Sequence, residues 1–119
     1  MKIQRYLRLL QKKMIHRIVK MTFKPDKSDE FADFVKTIVN KIAAFDGCEK
    51  VEILRDVNNP NIFFTYSFWQ SQNDLEKYRN SALFKEVWSK TKKMFAEKAQ
   101  AWSTEILTQS NIIKQTTND

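Results

Sequence analysis

Three large aromatic side chains, Trp69, Tyr78 and Trp88, fall at the end of one strand-like run and along the two helix-like runs that follow it. Phe84 lies one helical turn before Trp88, Tyr66 precedes Trp69 in the same strand-like run, and Arg17 adds a cation from the first such run. Aromatic rings bring the largest apolar area per residue, while indole, phenol and guanidinium groups bring donors. These six residues could therefore wall an apolar pocket that orients a small aromatic substrate or ligand. The same spacing also builds an ordinary core, and the sequence leaves both readings open. No catalytic residue is assigned.

The remaining reactive side chains carry less. His16, the single histidine, has an ordinary pKa suited to accepting a proton, but no carboxylate at a defined spacing orients it. It is expected on the surface or at a subunit contact. Cys48 has no basic neighbour of defined geometry to activate its thiol and is expected as a small buried side chain. Asp29-Glu30 and the pair Glu49/Glu52 read as helix-dipole partners and solvated strand charges, not as an acid–base couple. One Cys and one His exclude an internal disulfide and leave no set for an all-protein zinc site, so neither a metal nor a cofactor is expected.

Elements to position these residues follow from apolar periodicity. Ile15 to Phe23 alternates as a strand and is broken at Lys24-Pro25-Asp26, where Asp26 or Ser28 is placed to cap a helix. Phe31, Phe34, Val35, Ile38, Val39, Ile42 and Phe45 keep three- and four-residue spacing, so one face of that helix is buried. Asp46-Gly47 ends it with the only glycine in the chain. Cys48–Val57 and Ile62–Trp69 read as an antiparallel hairpin around Asn58-Asn59-Pro60-Asn61. Ser71 with Asp74 resembles a capping box opening a short helix from Gln72 to about Arg79. Ser81 caps a longer helix whose apolar stripe runs from Phe84 through Met94 and Phe95, and Ala101 to Gln109 reads as a last strand.

The order is β-α-β-β-α-β with a small helix inserted before the last long one. That is an α+β, ferredoxin-like plan: a four-stranded antiparallel sheet with its helices on one face. The other face is apolar too, and a homodimer is the expected way to cover it. The boundaries are a basic N-terminal extension over 1–13, one domain over 14–109 and a polar tail over 110–119.

Charge and size bound the rest. The 119 residues, 42% of them hydrophobic, suffice for one domain with a core. The net charge of +7 is concentrated in Lys2, Arg5, Arg8, Lys12 and Lys13; the other 16 basic residues face 14 acidic ones. A basic, weakly amphipathic arm can hold phosphates or an anionic membrane surface. The favoured reading is a flexible or mis-started leader, Met14 being an alternative initiator, with no specific nucleic-acid partner. No secretory signal and no membrane span are readable, and a lone Cys suits the cytoplasm.

The run Asp46-Gly47-Cys48, then Phe68-Trp69-Gln70-Ser71, Leu75, Tyr78, Ser81 and Phe84, resembles the antibiotic biosynthesis monooxygenase family of dimeric α/β barrels over roughly Ile15 to Leu107. The resemblance implies a homodimer with a pocket between helices and sheet in each subunit. In some members it implies oxidation of polycyclic phenols or quinols by O₂ without metal or flavin. The haem-degrading branch needs an Asn, a Trp and an iron-binding His where this chain has Val19, Tyr78 and Trp88, so haem degradation is not expected. The implied activity is a cofactor-independent monooxygenase acting on an aromatic phenol or quinol. A non-catalytic protein binding a small apolar ligand in the same pocket is the alternative.

Overall fold

A computed structural model of the chain describes residues 14–112. The basic arm 1–13 and most of the polar tail lie outside the described residues. Four strands and three helices follow in the order β1 (Ile15–Thr22), α1 (Ser28–Ala43), β2 (Cys48–Arg55), β3 (Ile62–Trp69), α2 (Gln72–Arg79), α3 (Ala82–Lys92) and β4 (Gln100–Thr104). The sheet order is β2-β3-β1-β4, with every neighbouring pair antiparallel. This is the ferredoxin-like α+β plan expected from the sequence. Among the described residues, no helix is long and apolar enough to cross a membrane.

Strand alternation sorts the side chains onto two faces. Met21, Phe63 and Trp69 are buried with Phe31, Val35, Ile38 and Ile42 of α1 and with Leu75 and Tyr78 of α2, so the core lies between the sheet and its helices. Burying side chains of this size contributes about 1.5–3 kcal/mol each. On β2 the register shifts between Cys48 and Lys50, after which Val51 and Ile53 pack toward that core.

Local chemistry fixes most element ends. Ser71 Oγ accepts from Asp74 N at 3.1 Å and Ser81 Oγ from Phe84 N at 3.1 Å, so both expected caps of α2 and α3 form. Gly47 has φ of 83°, the left-handed region that suits glycine, and a Cβ there would collide with the Asp74 side chain. In the β2–β3 loop, Asp56 Oδ1 accepts from the N–H groups of Asn58 at 2.7 Å and Asn59 at 3.0 Å. Such an Asx arrangement closes the turn.

Four expectations are corrected. Neither Asp26 nor Ser28 caps α1: Lys27 holds the cap position without a side-chain bond. Ser28 is buried, and its hydroxyl instead bonds Asn61 Oδ1 at 2.5 Å, tying the helix start to the β2–β3 loop. β2 stops at Arg55 rather than Val57, because the Asx turn at Asp56 begins there. α3 stops at Lys92, so Met94 and Phe95 lie in the turn after the helix. There Ala96 N bonds Thr22 O at 2.8 Å and Phe95 bridges Phe23, because the chain must leave the helix to run back along β1. β4 ends at Thr104, opposite His16, since β1 offers almost no further partner.

Candidate functional site

The helix-facing side of the sheet is uneven in a way that creates a cavity. Along β3 the inward residues run Phe63, Thr65, Ser67, Trp69: large, small, small, large. Phe63 packs edge-on to Phe23 and Phe31 at one end, with ring centroids 5.4 and 5.1 Å apart. Trp69 stacks on Tyr78 at 5.0 Å at the other end, and Phe45 meets Tyr78 edge-on at 5.4 Å. Val19, Thr65, Ser67 and Ala101 are too small to fill the middle. A cavity of about 300 Å³ remains there between sheet and helices.

Four of the six pocket residues read from the sequence line it: Tyr78, Phe84, Trp88 and Arg17. Their rings form one continuous wall, Tyr78 edge-on to Phe84 at 5.3 Å and Phe84 stacked on Trp88 at 5.9 Å. The Ser81 cap starts α3 so that Phe84 and Trp88, one turn apart, point the same way. Trp69 and Tyr66 are corrections. Trp69 is fully buried, its indole N–H donating to Ser67 Oγ at 2.9 Å, so it plugs the end of the core and does not line the cavity. Tyr66 faces the opposite side of the sheet, one residue out of phase with Thr65 and Ser67.

There Tyr66 OH lies 3.0 Å from His16 Nδ1, and Phe68 packs 4.3 Å from the imidazole. His16 is thus remote from the cavity, and burial holds its pKa below the usual histidine value. Cys48 is half-buried, and burial pushes its thiol pKa up, which disfavours the reactive thiolate. Among the described residues, no three His, Cys, Asp or Glu side chains gather as a metal site. The positions that match the haem-degrading pattern, Val19, Tyr78 and Trp88, all line the cavity, and none of them is a histidine.

Polar groups at the cavity are few. The Tyr78 phenol is pushed up to about 12 by burial and, to a lesser degree, by the nearby Cys48, so it stays a neutral O–H donor at physiological pH. Its hydroxyl has no hydrogen-bond partner among the described residues and is not fully buried, and Tyr78 lines the cavity. Arg17 donates from Nη1 to Ser103 Oγ at 3.0 Å. Burial, then the charge of Arg79, lower its pKa, with Glu76 opposing them. Its guanidinium still carries a full charge. An apolar chamber with a neutral phenol donor and a fixed cation can hold a ring and stabilise negative charge developing on its oxygen.

Sequence reasoning missed Arg79, Thr91 and the small residues that leave the space. Arg79 was findable, since Leu75, Tyr78 and Arg79 share i, i+3, i+4 spacing on one face of α2. A void has no such signal.

In comparisons with known proteins, no curated protein matches the chain. Solved structures share the fold. A conserved protein of Methanosarcina mazei Go1 superposes with a TM-score of 0.76 at 19% identity, covering 82% of this chain and 97% of that one. A protein of Nitrosomonas europaea, provisionally named as an antibiotic biosynthesis monooxygenase, gives 0.76 at 20% identity over 82% of this chain and 93% of its own. Another structure, named antibiotic biosynthesis monooxygenase, gives 0.74 at 14% identity over 79% and 99%. A family model for antibiotic biosynthesis monooxygenase matches residues 14–89, from β1 into α3. On that match, across most of the sheet and the aromatic wall, the chain belongs to the antibiotic biosynthesis monooxygenase family.

Proposed function

We propose that this protein is a cofactor-independent monooxygenase whose cavity holds an aromatic phenol or quinol for oxidation by O₂. The observation that carries the reading is the aromatic-walled cavity of about 300 Å³ with the Arg17 guanidinium and the Tyr78 hydroxyl at its lining. An apolar cavity of about 150 Å³ accepts one benzene, so the space suits a system of about two fused rings. For a phenol with a free para C–H the chemistry balances without an outside reductant. Phenolate gives an electron to O₂, the two radicals join at the para carbon, and loss of water leaves the quinone. One oxygen atom enters the product and the other departs as water.

In this reading Arg17 lowers the cost of forming the phenolate, and Tyr78 donates a hydrogen bond to its oxygen. The apolar walls exclude water from the radical pair. Aerobic incubation with 1-naphthol tests the proposal: oxygen uptake above the buffer rate is expected, with one atom of oxygen-18 gas appearing in the naphthoquinone.

One observation favours a second reading, a non-catalytic protein binding a small apolar ligand. Among the residues lining the cavity there is no carboxylate or imidazole to serve as a general base. No oxygen uptake across several phenols and quinols, with 1-naphthol still quenching tryptophan fluorescence, would select that reading.

The proposal includes a homodimer. Ile18, Phe64, Tyr66, Phe68 and Trp102 lie on the sheet face opposite the helices, and Trp102 is 45% exposed and Leu54 43%. A second copy meeting this face sheet to sheet would bury them. The lone thiol of Cys48 suits a reducing compartment such as the cytoplasm.

A further inference from the structure

Two guanidiniums, not one, line the cavity, and they come from different elements. Arg17 stands on β1 and Arg79 in the last turn of α2. Among the described residues one carboxylate offsets them: Glu76 Oε1 accepts from Arg79 Nη1 at 3.1 Å and is shared with Gln72 Nε2 at 2.9 Å. The hydrogen bond from Arg17 goes to a neutral hydroxyl, Ser103 Oγ, and among the described residues it makes no ion pair. Arg17 therefore keeps most of its five N–H donors without an anionic acceptor.

A half-buried guanidinium bonded only to a neutral hydroxyl has a desolvation cost that a bound anion would offset. Arg17 is half-buried, whereas Arg79 is 44% exposed and paired with Glu76; solvent screens Arg79, yet its positive charge still reaches Arg17. A phenolate alone offers one oxygen. A carboxylate offers two oxygens and a full charge, which match the fork of a guanidinium and can be shared between a pair of them.

We propose that the cavity recognises an aromatic carboxylate: its rings lie along the wall of Tyr78, Phe84 and Trp88, and its carboxylate is held by Arg17 and Arg79. The inference rests on the reading of the cavity as a ligand site, and it holds whether or not the ligand is oxidised. The ligand's hydroxyl, ortho to the carboxylate, then comes within reach of the same cations. The guanidinium pair thereby selects among phenols of equal size by charge.

Calorimetry with 1-hydroxy-2-naphthoate and with its neutral methyl ester, on the full chain at neutral pH, tests this. The acid is expected to bind at least about tenfold more tightly than the ester, the worth of a charge-assisted hydrogen bond. Raising the salt concentration should weaken the acid and leave the ester unchanged. Arg17→Gln and Arg79→Gln should each weaken the acid by about tenfold and the ester by less than about twofold. Equal affinity of acid and ester overturns the anion site while leaving the cavity reading intact. Binding of neither ligand overturns both. Because acid, ester and salt are compared on the unaltered protein, the result does not depend on the variants folding.

Discussion

The two faces of the sheet are built from the same strands with the same alternation, and they are finished differently. On the helix face, Phe63 and Trp69 close the two ends while Thr65 and Ser67 leave the middle hollow. On the opposite face the alternate residues Phe64, Tyr66 and Phe68 are uniformly large, and no small side chain interrupts them. Tyr66 and Phe68 pack 4.7 Å apart and enclose His16. Hollowness, not apolarity, separates a face that can hold a ligand from one that can meet another flat surface. Cores packed to ordinary density hold few voids larger than a water molecule, so a space of this size stands out.

Substitutions at the two faces should break this comparison in different ways. Trp69→Ala should be the most damaging, since it removes a fully buried plug at the core end: a loss of about 3–5 kcal/mol in urea-induced unfolding is expected. A loss below about 1 kcal/mol would mean that the cavity already extends to that end.

Trp102→Asp acts on the flat face and should leave the monomer folded, because that side chain is half exposed. It should weaken the proposed self-association, by about 2 kcal/mol if Trp102 is an aromatic anchor of that interface, read by sedimentation. An unaltered protein that sediments as a single chain would remove the homodimer altogether.

Tyr78→Phe sharpens the comparison within the hollow face. Its hydroxyl has no partner in the chain among the described residues, so thermal stability should change by less than about 0.5 kcal/mol. Affinity for 1-naphthol should fall by about 1 kcal/mol, the net worth of one neutral hydrogen bond. The same group gives an alkaline signature. The folded pKa is raised from 10.0 to about 12, so the unfolded chain loses this proton first and stability falls as pH rises from 10 toward 12. That fall should be absent in Tyr78→Phe.

The smallest effect belongs to His16 on the flat face. Its folded pKa lies below 6.5, so the unfolded state takes up the proton first as the solution is acidified. Stability is complete above pH 6.5 and declines as pH falls below it. His16→Gln should flatten that part of the profile, as followed by unfolding midpoints against pH.

Much of this was legible in the sequence. Strand alternation, the i, i+3, i+4 stripe of α1, the Ser71 and Ser81 caps and the single Gly47 are short-range signals, because steric and hydrogen-bond constraints act within a few residues. They suffice for the order of elements and hence for the ferredoxin-like plan. Residue type and helical spacing also singled out Tyr78, Phe84 and Trp88. Where two elements compete, local signals lose. Ser28 looks like a cap until Asn61, distant in sequence, claims its hydroxyl, and the stripe through Phe95 reads as helix until β1 requires the chain back.

The sequence by itself determined that Trp69 and Tyr66 are large, amphipathic and close together. Only the tertiary structure decided that one plugs the core and the other lies behind the sheet. The reason is that a strand's register against its neighbours sets which face each side chain takes. Likewise, no pattern of letters announces that Arg17 and Arg79 share one chamber. Their proximity is set by the packing of α2 against the sheet, and the chamber exists because small side chains from separate strands meet in one place.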